Sequence, residues 1–101
     1  MYDVAIIGGG ISGLMTAYRL SQNLDYKILI LERGKELEKR ICPIIEKGGS
    51  CIKCEKCSIM EGMAGAGAFS DGKYNITTEF GGWLPDYIDS NKVMEYIRQC
   101  D

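Results

Sequence analysis

The chain has 101 residues, 46% of them hydrophobic and 26% charged, the balance of one soluble globular domain and not of a disordered segment. A net charge of −2 leaves no broad basic field, which argues against nucleic acid or an anionic membrane as a partner. With no histidine, neither a Ser-His-Asp nor a Cys-His mechanism can be assembled within the chain, and any soft-metal site would rest mainly on its five cysteines.

Tyr2 to Ile7 runs apolar into Gly8, which predicts a fully buried parallel strand. Val4 to Tyr18 carries no charge, as a leader or membrane span would. However, Asp3 stands where a leader needs a positive charge, Gly8, Gly9 and Gly10 interrupt the run, and a span needs about 20 apolar residues. The expectation is a cytoplasmic protein.

Leu14, Ala17, Tyr18 and Leu20 recur at helical spacing up to Asn23, Asp25 breaks the helix, and Tyr26 to Leu31 reads as a second buried strand. Residues 2–32 thus form a βαβ unit of right-handed crossover. The stretch from Lys35 to Arg40 alternates in sign and reads as a solvated helix face. Residues 42–57 are a Cys-rich excursion from the sheet, and 62–73 a Gly/Ala-rich segment. Tyr74, Ile76 and Thr78 alternate as a short strand would, with Tyr74 and Phe80 on its face, and Trp83 with Pro85 marks a packed turn. Ser90 can cap a terminal helix over 90–101 with an apolar face of Val93, Tyr96, Ile97 and Cys100. The expected fold class is α/β, a Rossmann-like dinucleotide-binding fold. Only two in-order parallel strands are present where such a sheet has about six, so the expectation is an incomplete, N-terminal part of a larger domain, too small to hold its cofactor tightly alone.

Gly8, Gly10 and Gly13 form G-x-G-x-x-G between the first strand and the first helix. Gly8 allows the tight turn, a side chain at Gly10 would collide with a pyrophosphate, and Gly13 lets the helix lie close on the sheet. The N–H groups around Ile11 and Ser12 then face the phosphates from the helix N-terminus. Glu32, 19 positions after Gly13, stands where a carboxylate accepts the adenosine ribose hydroxyls. It repels a 2′-phosphate and disfavours NADP. Arg33 either packs along the adenine edge or is exposed.

Cys51, Cys54 and Cys57 form C-x-x-C-x-x-C, with Cys42 nine positions earlier. Three thiolates at this spacing suit an iron–sulfur cluster or zinc, with Cys42 as a fourth ligand. A bacterial ferredoxin run would have another cysteine at the position of Glu61. Redox-active thiols near Lys53 and Lys56, or thiols with no specific role, fit the same residues.

The run VAIIGGGISGLMTAYRL followed by ILILER resembles the N-terminus of the two-dinucleotide-binding-domain flavoproteins. ERGKELEKRICP, CIKCEKCSIMEGMAGAGAFSDGKYN and EFGGWL resemble, closer still, a family of bacterial and archaeal FAD-dependent dehydrogenases, from Tyr2 to about Asp86. The resemblance implies that the dinucleotide is FAD and that a second glycine-rich stretch lies near the flavin. Gly65, Ala66, Gly67, Ser70, Asp71 and Gly72 match that stretch. It implies an FAD-dependent oxidoreductase acting on a small-molecule substrate, with the catalytic residues elsewhere. Two other readings stay open: a non-redox or NAD-binding enzyme, thiazole-synthase-like, with the same first βαβ unit, and an iron–sulfur or thiol electron-transfer module.

Overall fold

The computed structural model describes residues 1–23, 25–79 and 81–101, with the side chain of Asn23 left aside. It divides into two compact units, 1–70 and 71–101.

The first unit is built on a β-α-β element. Strand β1 (Val4–Ile7) leads through the glycine turn into helix α1 (Ile11–Asn23), and strand β2 (Ile28–Leu31) returns parallel to β1 in the register Val4↔Ile28 to Ile7↔Leu31. The β-branched and leucine residues of both strands suit a pleated surface. Asp3 fixes the open end: its N–H donates to Lys27 O at 2.9 Å, and its carboxylate accepts the Lys27 N–H at 2.8 Å. The ladder ends where Gly8 N–H donates to Leu31 O at 2.7 Å. Helix α1 packs against both strands.

The strands are not fully buried, contrary to the sequence expectation. β1 alternates between half-buried and exposed, and Ile7 and Leu31 are 79% and 49% exposed. One helix covers one face of two strands, and among the described residues nothing comparable covers the rest. The tightest packing of the unit lies instead at Gly9, Arg40 and Gly62, all buried.

After β2 the chain makes a 3-10 turn at Leu37–Lys39 and then helix α2 (Pro43–Lys47). Pro43 suits the first turn of α2, where no N–H is needed. Gly48, at φ 69°, ends it. A second 3-10 turn, Ala66–Phe69, closes the unit.

In the second unit Pro85 starts a 3-10 turn at Leu84–Asp86, and helix α3 spans Ser90–Cys100. Its cap is Asp89, not Ser90: Asp89 Oδ1 accepts the N–H groups of Asn91 at 2.9 Å and Lys92 at 3.4 Å. Val93 is 3% exposed and anchors the helix. The expected strand at Tyr74, Ile76 and Thr78 does not form, because no described segment pairs with it. Tyr74 Oη instead donates to Ile97 O at 3.2 Å. Phe80, assigned to the same strand face, lies outside the described residues. Among the described residues no helix is long and apolar enough to cross a membrane.

Candidate functional site

The site begins where β1 turns into α1. Gly8 adopts φ 101°, a region open to glycine and strained for other residues. A Cβ at Gly8 or Gly10 would meet nothing within 4 Å, so both face open space, whereas a Cβ at Gly13 would run into the carbonyl oxygen of Gly8. The three motif glycines therefore divide their roles: Gly8 and Gly10 keep a surface clear, and Gly13 lets the helix approach the turn. The first i→i−4 bond of α1 runs from Leu14 N–H to Gly10 O at 3.0 Å. The N–H groups of Ile11, Ser12 and Gly13 precede it, at the positive end of the helix dipole.

Glu32 follows β2 directly and is tied to that turn. Its Oε2 accepts the Gly9 N–H at 2.6 Å and its Oε1 accepts the Gly34 N–H at 2.8 Å. These two bonds, Gly34 first and then Gly9, hold its carboxyl below the usual glutamate range, and the nearby Arg33 charge adds to the effect. Each carboxylate oxygen keeps a lone pair for a further donor, so a ribose hydroxyl can still bind. The central glycine of the turn, Gly9, was not singled out in the sequence, since it occupies a variable position of the motif.

Arg33 lies against Glu61. Its Nη2 stands 2.6 Å from Glu61 Oε2, an ion pair and not an aligned hydrogen bond, since that oxygen has no hydrogen-bond donor among the described residues. Its side chain is largely exposed.

The second glycine-rich segment docks on the first. Ala64 N–H donates to Gly9 O at 2.8 Å, and Met63 N–H to Lys35 O at 3.0 Å. A Cβ on Gly65 would approach Gly10 Cα to 3.2 Å, which shows how closely the two backbones pass. Arg40 secures this arrangement. Far from lying on a solvated helix face, it is 4% exposed. Its Nη1 donates to Met63 O at 2.6 Å and Gly65 O at 2.9 Å, its Nε to Ser58 O at 2.9 Å and its Nη2 to Ile59 O at 2.8 Å. The guanidinium carbon lies over the Phe69 ring, 4.7 Å from its centroid. Arginine alone offers five donors in a planar fork able to serve four carbonyls at once. Charge alternation along 35–40 gave no sign of this.

Two clefts result. One, of about 470 Å³, runs along Gly8, Gly10 to Gly13 and Ala64 to Gly67. The other, of about 330 Å³, is bounded by Leu31, Glu32, Arg33 and Met60 to Gly62. Ile7, Gly8, Gly10 and Gly65 line both, so the clefts adjoin at the glycine turn. Gly8, Gly10, Ile11, Ser12, Gly13, Gly65, Ala66 and Gly67 thus meet in one cleft, and Glu32 and Arg33 in its neighbour. Ser70 ends the Ala66–Phe69 turn, its N–H donating to Gly67 O at 3.0 Å. Asp71, in the second unit, pairs with Lys73 Nζ at 2.9 Å.

Cys42, Cys51, Cys54 and Cys57 border a separate small pocket of about 70 Å³, all as free thiols. Their sulfurs do not converge on a common point: among the described residues no three His, Cys, Asp or Glu side chains stand in metal-holding geometry.

Comparison with known proteins finds its likeness in the βαβ segment. The family model described as FAD dependent oxidoreductase matches residues 3–39. The chain is 52% identical over 33 residues to pyranose dehydrogenase of Agaricus xanthodermus, which covers 33% of this chain and 6% of that protein. It is 47% identical over 45 residues to glucose oxidase 2 of Penicillium expansum, covering 45% of this chain and 7% of that protein. These relatives are fungal and do not support the bacterial and archaeal origin expected from the sequence. The matched stretch spans 6% to 7% of the length of these curated relatives. No solved structure matches the chain. Residues 3–39 are therefore similar to the N-terminal Rossmann-like unit of FAD-dependent oxidoreductases, and the α/β fold with its parallel strand pair agrees with that likeness.

Proposed function

We propose that this chain is the N-terminal FAD-binding part of an FAD-dependent oxidoreductase acting on a small-molecule substrate. The observation that carries the reading is the closure of two glycine-rich turns on one cleft, with the Glu32 carboxylate bonded to Gly9 at its edge. The residues suit a dinucleotide: open space at Gly8 and Gly10 admits a pyrophosphate, and the first-turn N–H groups of α1 offer it donors. Glu32 accepts ribose hydroxyls. Gly65 to Gly67 bring backbone without side-chain bulk alongside the same cleft, which supports a flavin-proximal role, with Ser70 at the end of that turn. FAD, when bound, supplies the hydride or electron chemistry; the chain supplies position and electrostatics.

Glu32 and Glu61 both line the smaller cleft, and the Arg33 charge is engaged by Glu61. This arrangement supports a dinucleotide lacking a 2′-phosphate. The resemblance of residues 2–86 to FAD-dependent dehydrogenases supports a dehydrogenase. The five thiols, which an oxidising compartment would tend to pair, support a cytoplasmic setting.

Competition binding tests the reading. Full-length protein stripped of nucleotide is titrated with FAD, NAD and NADP and followed by flavin and tryptophan fluorescence. Selective uptake of FAD is the expected result. Preference for NAD, or no uptake of any of the three, would contradict it.

A further inference from the structure

The loop between Arg40 and Ser58 is held at its neck by one side chain. Arg40 precedes the loop, and its guanidinium bonds the carbonyls of Ser58 and Ile59 just after it. Cys42 and Cys57 therefore sit on the two stems of a closed loop. The second stem is fixed further, because Cys57 O accepts the N–H groups of Met60 at 3.1 Å and Glu61 at 2.8 Å. Beyond α2 the loop has no regular structure up to Cys57. Little but its ends holds it in shape.

The four cysteines border one pocket walled by Pro43, Ile44 and Ile52. At Cys51 the backbone already turns toward the sulfur: Lys53 adopts φ 51°, and its N–H donates to Cys51 Sγ at 3.4 Å. Four thiols without imidazole or carboxylate make a soft donor set, unsuited to magnesium or calcium and suited to tetrahedral zinc.

We propose that Cys42, Cys51, Cys54 and Cys57 bind a single zinc ion as a structural tetrathiolate site. The ion folds the loop onto the stem that Arg40 fixes beside the nucleotide cleft. Gly48 and Gly49, at φ 69° and 103°, form the hinge that lets the Cys51 to Cys57 arm close and bring the sulfurs together. Lys47, Lys53 and Lys56 outnumber Glu46 and Glu55 in the same loop by one, which offsets part of the excess negative charge of four thiolates around a dication. With all four positions filled by the chain, the ion has no open coordination site and serves folding.

The test is metal analysis of full-length protein purified anaerobically under reducing conditions, followed by exchange into cobalt. The expected result is one zinc per chain. On exchange, one Co²⁺ takes its place with the intense visible bands of tetrahedral geometry and thiolate charge transfer. Cys54→Ser weakens these bands, and Cys100→Ser leaves them unchanged. Absence of zinc together with a weak octahedral cobalt spectrum would overturn the proposal, and so would iron with acid-labile sulfide in place of zinc. The wild-type spectrum decides the matter even if a cysteine variant fails to fold. Flavin content read in the same samples separates the two assignments: FAD without zinc refutes only the metal site, and zinc without FAD refutes only the nucleotide site.

Discussion

The carboxylate of Glu32 accepts the backbone N–H of Gly9 at 2.6 Å, which joins the end of the second strand to the middle of the glycine turn. On the proposed reading, the residue assigned to the ribose also holds the turn assigned to the pyrophosphate, so one side chain would couple the two ends of the nucleotide site. Glu32→Ala is expected to weaken FAD binding on the order of tenfold or more, through the loss of charge-assisted hydrogen bonds. Glu32→Gln keeps one of the two acceptor oxygens but loses the other and the charge, and should fall between. Titration with FAD checks the order.

The same bonds set a pH dependence. Gly34 and Gly9 depress the Glu32 carboxyl below its ordinary value. The stabilisation it lends the turn is thus fully present above the ordinary glutamate range, near pH 4.3, and lost as pH falls through the lowered folded value. Flavin release followed by fluorescence should show an acid limb below that range in the wild type. Glu32→Gln, with no proton to gain, should lack the part of that limb due to this residue.

Gly13→Ala tests packing separately from binding. Its Cβ would collide with the Gly8 carbonyl, so α1 must shift away from the turn. A loss of about 1–3 kcal/mol of stability is expected. Denaturant unfolding measures it, and any drop in flavin content should follow the loss of fold.

Arg40→Met should destabilise the segment from Ser58 to Gly65 by about 2–4 kcal/mol, because the carbonyls of Ser58, Ile59 and Met63 lose their donor and Gly65 O keeps the long bond from Ala68 N–H at 3.4 Å. Arg40→Lys should restore only part of this, since one ammonium cannot reach carbonyls spread along a planar fork. Hydrogen exchange across residues 58–65 and urea unfolding report the two variants.

The β-α-β element was legible because its signals are local: apolar runs, helical spacing, and glycines whose separation carries a mechanical meaning. The docking of Gly65 on Gly10 was not legible: family likeness implied only that a second glycine-rich stretch lies near the flavin, and a Gly/Ala stretch alone names no partner. Arg40 was misread because a buried arginine bound to carbonyls and one on a solvated face have the same sequence neighbours. Its partners are backbone atoms, which leave no pattern. The alternation at Tyr74, Ile76 and Thr78 fits a strand, yet a strand needs a neighbour, and none forms among the described residues. Asp89 and Ser90 are adjacent residues both able to cap, and helical periodicity does not choose between positions one apart.

Gly10→Val tests the central claim most directly, because Gly10 faces the cleft and a Cβ there meets nothing within 4 Å. Full-length wild-type and variant proteins are purified side by side, and FAD released from each is quantified alongside the melting temperature. The account predicts FAD in the wild type, a drop of roughly tenfold or more in the variant, and a melting temperature within a few degrees of the nucleotide-free wild type. Equal flavin content in the two proteins, or none in the wild type even after incubation with FAD, would contradict it.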